Sequence, residues 1–295
     1  MKVLLTGATG LLGGALLDRL LLKGHDVRCL VRRESRNVSR LDPSRVEIFR
    51  GDANGAEDLR RALVGADALA HVAGIEHAPY VVGAARRAGL ERLVVVGSTS
   101  AHSAYGFRSD PKRRMEAVVR ASGLAWTIVR PTMIYGTERD KNVHRLLRFL
   151  DRSPVFPVFG PGTNLWQPVY HEDCACGVYE ALIRAAAVER AYDLPGASPL
   201  PYATLVESAA RALGKEPRLV RLPLEPIRRA LLLAEKLRLP LPVKSEQVLR
   251  LREDKAYPYD DAKRDLGYAP RPFHEGVALE VARLRKTGLV KPETP

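Results

Sequence analysis

The sequence has few of the residues that mark secreted, metal-dependent or membrane-spanning chains. Its 295 residues include three cysteines, and no two of them are spaced as CxxC, which argues against a disulfide framework and against a zinc site. No stretch approaches the roughly 18 consecutive apolar residues of a membrane-spanning helix. No block of roughly five or six like charges marks a nucleic-acid-binding arm. We therefore expect a cytoplasmic, globular protein without a metal site.

The charged residues are unevenly divided by sign. Forty-seven Lys and Arg against 34 Asp and Glu give a formal net charge of +13. Such an excess favours anionic partners, among them phosphorylated small molecules, nucleic acid and acidic membrane surfaces. Because the arginines are scattered along the chain, we expect a small-molecule substrate and no nucleic-acid partner. For the basic amphipathic segment 227–238 a core-facing helix is favoured over peripheral membrane contact.

The N-terminal residues form a strand–turn–helix–strand pattern. The apolar run Lys2–Thr6 has the length of a buried strand, and apolar residues then recur at helical spacing from Gly10 to Lys23. The segment Asp26–Val31 has the pattern of a second strand.

The turn between the first strand and the helix follows the pattern GxxGxxG. One glycine allows the tight turn, the next lets the backbone approach a pyrophosphate, and the last allows close packing of helix on strand. The helix N-terminus adds N–H groups and a positive dipole end. The pattern therefore predicts a dinucleotide site whose phosphates contact Gly7, Thr9, Gly10, Leu11, Leu12 and Gly13.

The end of the second strand bears on the choice of nucleotide. A carboxylate there would bind the ribose 2′-OH of NAD, whereas an arginine would accommodate the 2′-phosphate of NADP. The chain has Arg32 and Arg33 at this place and Glu34 further out. We therefore expect NADP in preference to NAD, although Glu34 could still reach a ribose.

Strands and helices continue to alternate, which predicts parallel βαβ units wound on one sheet. The fold class is α/β, a doubly wound parallel Rossmann sheet with a smaller C-terminal α/β substrate lobe. We place the nucleotide-binding domain at residues 1–152 and most of the substrate lobe at 153–295, with elements at about 165–195 returning to the main sheet. Further strands are expected at 45–50, 68–74, 92–96 and 126–129, and helices at 78–88, 111–122, 142–151, 172–187, 202–213, 225–237 and 273–284.

The motifs together resemble the extended and atypical short-chain dehydrogenase/reductases, which are similar to NAD(P)-dependent epimerases and dehydratases. The similarity includes the branch with the NADPH-binding accessory subunit of respiratory complex I. The matching pieces, in family order, are TGATGLLG (Thr6–Gly13), GD (Gly51–Asp52), HVAG (His71–Gly74), GSTS (Gly97–Ser100), RPTMIYG (Arg130–Gly136) and QPVYHED (Gln167–Asp173).

The resemblance implies a role for several residues after the strands. Asp52 and Ala53 would contact adenine, and Ala73 and Gly74 would pass beside the cofactor ribose. Ser98 matches the active-site hydroxyl. The residues implied to lie against the nicotinamide are Pro131, Thr132 and Met133.

The acid/base pair of the family departs from its YxxxK pattern. Lys112 matches the lysine, which would also support the cofactor ribose, but the residue four positions earlier is Arg108. Tyr105 is the nearest phenol and is out of register. Three possibilities stay open: an altered loop brings Tyr105 into place, His102 or another group moves protons, or the protein binds NADP(H) without turnover.

The substrate residues are less sharply defined by the sequence. Thr99 adjoins the active-site serine, and Trp166 with Gln167 suggests a pocket wall in the lobe. Met133 stands where enzymes of sugar nucleotides often carry asparagine, so an apolar group favours a less polar substrate. We predict an NADP(H)-dependent oxidoreductase or epimerase that acts on a small carbonyl or sugar-nucleotide substrate, as a monomer or homodimer. The alternative is a non-catalytic NADP(H)-binding regulatory or assembly protein.

Overall fold

The computed structural model describes residues 1–237 and 250–292, which divide into two compact units. The first unit comprises residues 1–134, 169–195 and 258–270, and the second comprises the described residues of 135–168, 196–257 and 271–295. The sequence suggests a boundary after residue 152, whereas the chain leaves the first unit after residue 134 and re-enters it twice. The nucleotide-binding unit is therefore assembled from three separate segments.

A parallel sheet of seven strands forms the centre of the first unit. Its strand order is β11-β6-β5-β4-β1-β2-β3, so the direction of winding reverses between β1 and β4. Ligands of open α/β sheets bind beyond the carboxyl ends of the strands at such a reversal. The strands are β1 (Lys2–Thr6), β2 (Asp26–Val31), β3 (Glu47–Arg50), β4 (Ala68–His71), β5 (Arg92–Val96), β6 (Ala125–Pro131) and β11 (Arg190–Leu194). The predicted doubly wound sheet is confirmed.

Helices cover both faces of this sheet because successive strand residues point to opposite sides. On β1, Val3 and Leu5 join one apolar cluster with Leu16, whereas Leu4 joins a second cluster with Val81. The helices of this unit are α1 (Leu11–Leu22), α2 (Ala56–Ala62), α3 (Ala78–Arg87), α4 (Gly106–Arg120), α6 (His171–Ile183) and α9 (Asp260–Leu266). Helices α1 and α6 pack together, and α3 packs against both α2 and α4.

Helix α4 begins earlier than the sequence suggests. We expected a start at Pro111, but the helix begins at Gly106 and has Pro111 in its interior. The carbonyl of Tyr105 accepts the N–H groups of Arg108 and Ser109 at 2.9 and 3.2 Å, which closes a first turn before the proline. Proline costs a helix nothing in its first turn, whereas further in it removes one hydrogen bond and its ring crowds the carbonyl four residues earlier, which for Pro111 is that of Phe107. The predicted start was therefore wrong by five residues.

The second unit contains short strands and four described helices. Strands β8 (Val155–Phe159) and β13 (Arg218–Leu222) pair in parallel, and β9 (Leu165–Trp166) pairs antiparallel with β12 (Leu200–Pro201). Helix α7 packs against α5 and α10. The helices are α5 (Val143–Arg152), α7 (Tyr202–Ala212), α8 (Leu224–Lys236) and α10 (Phe273–Lys286). Of the remaining short strands, β7 (Ile134–Tyr135) falls where the first unit ends and the second begins, and β10 (Val169–Tyr170) belongs to the first unit.

Several element bounds differ from the predicted ones by a few residues. The predicted helix at 172–187 ends at Ile183 and is followed by a 3₁₀ turn over Ala185–Ala187, and the strand predicted from residue 45 begins at Glu47. The predicted basic amphipathic segment extends to residue 238, which lies outside the described residues. Among the helices that the structure describes, none is long and apolar enough to cross a membrane.

Candidate nucleotide-binding and active site

The glycine turn between β1 and α1 has a geometry that only glycine permits. Gly7 has a φ of +77°, and its carbonyl accepts the N–H of Gly10 at 2.9 Å. A Cβ on Gly13 would lie 2.0 Å from the Gly7 carbonyl oxygen, so the first turn of the helix packs directly on the loop. Gly10 is the N-cap, and no side-chain oxygen caps the helix. The N–H groups of a helix N-terminus and its positive dipole end suit an anion.

A cavity of about 490 Å³ adjoins this turn, at the carboxyl ends of β1, β2, β3 and β4. Seven of the predicted cofactor residues line it, namely Gly7, Thr9, Gly10, Arg32, Asp52, Ala53 and Ala73. Besides Thr6 at the end of β1, the polar lining residues that the sequence analysis missed are Ser35, Asn37, Asn54, Glu76 and His77. They follow strands β2, β3 and β4, and that position is the only signal by which the sequence could have indicated them.

The two arginines after β2 differ in their surroundings. A guanidinium nitrogen of Arg33 lies 3.1 Å from the carboxylate of Asp58, and Asp58 also accepts the N–H of Asp52 at 3.0 Å. Arg32 lines the cavity; its carbonyl accepts the N–H of Ser35 at 3.0 Å, and its guanidinium has no hydrogen-bond or ion-pair partner among the described residues. Ser35 lines the cavity as well, whereas Glu34 is exposed and does not. Arg32 is therefore the cation of this pair that faces the nucleotide cavity.

A buried histidine fixes the loop after β4. His71 Nε2 donates to the carbonyl of Gly74 at 2.7 Å, which leaves Nδ1 to accept from the Thr6 hydroxyl at 2.8 Å. The Thr6 oxygen in turn accepts the N–H groups of Val72 and Ala73 at 3.2 and 3.3 Å. Burial lowers the pKa of His71 to about 4, so the ring is neutral at physiological pH. This network positions the backbone of residues 73–74 at the cavity.

A 3₁₀ turn over Thr99–His102 carries the candidate active-site hydroxyl. Ser98 precedes the turn, and its oxygen accepts the N–H and the hydroxyl of Ser100 at 3.2 and 3.1 Å. Since both of these bonds use Ser98 as an acceptor, its own proton is left to donate to a further oxygen. Thr99 is buried, and its hydroxyl donates to the carbonyl of Pro131 at 3.4 Å. The turn is thus fixed over the carboxyl end of β6.

The predicted acid/base residues lie along helix α4. Arg108 is one turn before Lys112, as the sequence spacing requires, and Tyr105 is the N-cap of the helix, about 10 Å from Lys112 along the axis. The Tyr105 ring stacks on Phe107 at 5.7 Å between centroids. Lys112 Nζ lies 3.3 Å from the carboxylate of Glu76, and Glu76 lines the nucleotide cavity. The structure thus links Lys112 to the cavity and leaves Tyr105 two turns away from the lysine.

A chain of charged groups crosses the ends of β6 and β11. Arg130 donates to both carboxylate oxygens of Glu116 at 2.7 and 2.6 Å, and a third nitrogen lies 3.5 Å from Asp193. The Asp193 oxygens lie 2.9 and 3.0 Å from Nε2 of His102. Because the carboxylate only accepts, Nε2 donates to it.

The remaining predicted nicotinamide residues follow β6. Pro131 is its last residue, and Thr132 is half-buried. Met133 is half-buried too, and its carbonyl accepts the N–H of Val169 at 2.9 Å. The predicted cofactor residues Leu12 and Gly13 are buried in the first turn of α1.

The predicted substrate residues Trp166 and Gln167 belong to the second unit. The Trp166 ring lies 5.4 Å from that of Tyr202, and the ammonium of Lys255 lies 3.5 Å above it. Gln167 is buried, donates to the carbonyl of Gly196 at 2.8 Å and accepts the N–H of Tyr257 at 2.8 Å. Both side chains therefore have structural contacts of their own, and their role in substrate binding stays a prediction.

Comparison with known proteins extends these observations. Residues 7–151 match a family model described as NAD(P)H-binding. The chain is 31% identical over 242 residues to a ceramide reductase of Caulobacter vibrioides, and the match covers 75% of this chain and 73% of the relative. The chain belongs to the extended short-chain dehydrogenase/reductase family.

Two further similarities agree with this family assignment. The chain is 27% identical over 319 residues to a 2-alkyl-3-oxoalkanoate reductase of Stenotrophomonas maltophilia, covering 92% of this chain and 95% of that protein. The fold is similar to a nucleoside-diphosphate-sugar epimerase from Pseudomonas aeruginosa, with a TM-score of 0.78, 19% identity and 99% of each chain covered. The protein is an NAD(P)-dependent enzyme of the oxidoreductase and epimerase type.

Proposed function

We propose that this protein is an NADP(H)-dependent ketone reductase whose substrate is small and mostly apolar around the carbonyl. The proposal has two parts, the preference for NADP and the class of substrate. The first depends on Arg32, and the second depends on Met133 and on the named activities of the relatives.

The described residues of the first unit fit a dinucleotide. The N-terminus of α1 and the backbone of Gly7 and Gly10 suit the two phosphates, and Asp52 with Ala53 suits the adenine. NAD(P)H supplies the hydride for such a reaction.

One observation supports the preference for NADP: within residues 1–237 and 250–292 nothing pairs with the guanidinium of Arg32, which lines the cavity. A planar guanidinium suits a phosphate, which it can bind through two parallel hydrogen bonds. Arg33 contributes less because the Asp58 carboxylate at 3.1 Å already neutralises it. The one carboxylate that follows β2, that of Glu34, does not line the cavity, so no acidic group there competes for a ribose 2′-OH.

The class of substrate follows from the residues at the end of β6. An apolar side chain at Met133 offers no hydrogen bond to a sugar diphosphate, and it suits an alkyl or acyl group. Two relatives named above are a ceramide reductase and a 2-alkyl-3-oxoalkanoate reductase. Both names are compatible with a substrate that carries a long alkyl group. We therefore favour a ketone with apolar substituents over a sugar nucleotide.

The active-site residues would act on the carbonyl oxygen. The Ser98 hydroxyl, oriented by Ser100 and with its proton left to donate, would hold that oxygen and stabilise the charge that develops on it. Lys112 lies in the first unit, as Ser98 does, and its ammonium adds positive charge there. When the cofactor binds, this ammonium would leave the Glu76 carboxylate and donate a hydrogen bond to a cofactor hydroxyl. Ser98 and Lys112 would therefore promote the reaction by orienting the carbonyl and by stabilising negative charge.

The test combines cofactor selectivity with a search for turnover. We expect NADPH to raise the melting temperature more than NADH at equal concentration, and to be consumed in the presence of ketones with alkyl or acyl chains. Arg32→Ala should raise the Kd of NADPH by about tenfold, which corresponds to about 1.4 kcal/mol, and leave that of NADH nearly unchanged. The matched control is Arg33→Ala, which removes a guanidinium of the same type that is already paired.

Three kinds of result would contradict the proposal, each in a different part. Equal thermal shifts with NADPH and NADH, or equal effects of the two arginine variants, would remove the preference for NADP. Consumption of NADPH with nucleotide sugars but with no alkyl ketone would overturn the substrate class. Binding of NADPH without consumption in the presence of any carbonyl compound would favour a binding-only protein.

A further inference from the structure

One side of the strand pair β8–β13 in the second unit is apolar and exposed to solvent. Burial alternates along β8, as on a strand with one covered side. Phe156 and Val158 are buried, whereas Val155 and Phe159 are 40% and 39% exposed. Phe149 of α5 packs edge-on against Phe156, with ring centroids 5.4 Å apart, so α5 lies on the covered side.

Strand β13 adds apolar and cationic side chains to the exposed side. Residues that pair in a parallel ladder project to the same side of the sheet. The register therefore defines an outer face of six residues, with Arg218 beside Val155, Val220 beside Pro157 and Leu222 beside Phe159. Val220 is 37% exposed. Large apolar side chains of both strands thus contact solvent on the outer face.

The charges on these two strands have one sign. Neither strand contains an acidic residue, and both arginines of β13, Arg218 and Arg221, are exposed. Within residues 1–237 and 250–292, no ion pair engages the guanidinium of either arginine. Their positive charge is therefore available to an anionic partner that approaches the outer face.

Helix α8 continues this surface. It begins two residues after β13 ends, and its first residue also reaches β8, since a Cβ on Gly160 would lie 2.6 Å from Cδ1 of Leu224. Arg229 and Leu232 are both exposed. Because residues three apart lie on one side of a helix, α8 presents a cationic and an apolar side chain together.

The charges of α8 are partly compensated, and its opposite side is less exposed. Arg228 donates to the Glu225 carboxylate at 2.6 Å, and Arg229 lies 3.6 Å from the same carboxylate. One carboxylate thus faces two arginines, and one positive charge remains. Leu231 and Ala234, on the opposite side of the helix, are half-buried. A core-facing side, as the sequence predicts for 227–238, can therefore coexist with the exposed cationic side.

We propose that the outer face and the exposed side of α8 dock on a membrane surface that contains anionic lipid. The arginines would meet the lipid phosphates, and the apolar side chains would enter the boundary between headgroups and acyl chains. The formal net charge of +13 adds attraction at longer range. This contact does not depend on the ketone reduction proposed above.

Two other occupants of the outer face explain less of what the structure shows. A second copy in a two-fold contact would bring Arg218 and Arg221 near the same arginines of its partner, and like charges repel. An acidic protein would match the arginines, but it offers no apolar layer behind its charges for Val155, Phe159 and Val220. A lipid surface has both the charges and that layer.

The first experiment measures sedimentation of the full chain with vesicles of phosphatidylcholine alone or mixed in equal parts with phosphatidylglycerol. We expect binding to the mixed vesicles only, weakened by added salt. Arg218→Gln combined with Arg221→Gln should lower the partition coefficient about 10–30-fold, since each cation at an anionic surface contributes about a factor of five. The matched control is Arg86→Gln combined with Arg87→Gln, which removes two exposed arginines of α3.

The second experiment tests the apolar part of the contact. Phe159→Ser should lower binding to the mixed vesicles at least about fivefold, whereas Leu22→Ser, at an exposed site of the first unit, should leave it unchanged. In Phe159→Trp, the fluorescence of the introduced tryptophan should shift to shorter wavelength when mixed vesicles are added. Thermal unfolding and NADPH binding verify that each variant is folded.

Several outcomes would overturn this proposal. Equal losses of binding in the two arginine pairs would show attraction by net charge alone, without docking through the outer face. An unshifted emission from the introduced tryptophan in sedimenting protein would exclude the same contact. Tighter binding to soluble polyglutamate than to mixed vesicles would assign the surface to an acidic protein, and a solution dimer that Phe159→Ser dissociates would assign it to a second copy. Each readout is independent of NADPH consumption, so the proposed function stands or fails in a separate assay.

Discussion

Replacement of Gly13 by alanine tests whether the close contact of α1 with the glycine loop holds the nucleotide turn together. The added Cβ would lie 2.0 Å from the carbonyl oxygen and 2.6 Å from the carbonyl carbon of Gly7. Both are backbone atoms, so no flexible side chain can yield. Since Cβ atoms keep at least 3.0 Å from such atoms, helix and loop must separate by about 1.0 Å, the difference between 3.0 and 2.0 Å.

The expected effect on stability has two opposing parts. Overpacking of this kind costs about 1–3 kcal/mol or more, and alanine gains about 1 kcal/mol over glycine in a helix interior. Because the clash is with backbone, we expect Gly13→Ala to destabilise the protein by about 2 kcal/mol, or about 4–8 °C in Tm. The displaced Gly7 carbonyl widens the turn, and we expect the Kd of NADPH to rise at least about tenfold.

The matched control is Gly83→Ala in the interior of α3. There the nearest atom to an added Cβ is a guanidinium nitrogen of Arg87 at 3.7 Å, an ordinary contact with a flexible side chain. The same substitution should therefore stabilise the protein by up to about 1 kcal/mol and leave NADPH binding unchanged. The measurements are thermal unfolding and titration calorimetry with NADPH. A Gly13→Ala protein with wild-type Tm and Kd would refute the packing argument for this turn.

Two buried titratable groups make the stability depend on pH in opposite senses. Burial lowers the pKa of His71 to about 4 from 6.5, so between these values the unfolded chain binds a proton that the folded chain does not. Stability should fall by about 3 kcal/mol as pH decreases through this window in urea titrations, and His71→Gln should lack that part of the fall. Burial next to Asp140 raises the pKa of Glu280 to about 10, so the folded protein keeps it protonated while the unfolded chain ionises above about pH 4.5. The stabilisation by Glu280→Gln should therefore grow from pH 5 to pH 8, and an equal effect at both values would contradict it.

The fold of the first unit was predictable because its sequence signals agree with one another. The apolar run of β1, the glycine turn and the helical periodicity of α1 are adjacent in the chain, and each requires the others. Seven of the residues predicted to bind the cofactor line one cavity for the same local reason, since they directly follow strands or belong to the glycine turn. Local patterns could not fix the start of α4, because the capping carbonyl of Tyr105 carries no sequence signature.

The candidate acid/base chemistry was only partly predictable, because it depends on pairs that are distant in the chain. His102 and Asp193 are 91 residues apart, and nothing near either residue indicates the other. Arg33 and Asp58 are 25 residues apart, so the sequence alone does not distinguish the two arginines that follow β2. Only the structure distinguishes the paired guanidinium from Arg32.

The assembly of the nucleotide-binding unit from three segments has a consequence for synthesis of the protein on the ribosome. Strand β11 begins at residue 190, which is 59 residues after β6 ends at residue 131. At about 5–20 residues per second, the hydrogen-bonding edge of β6 has no neighbouring strand for about 3–12 s. The last segment, with buried Leu266 and Tyr268, follows later still. A fragment truncated at residue 152 would keep the glycine turn but expose that edge permanently to other nascent chains.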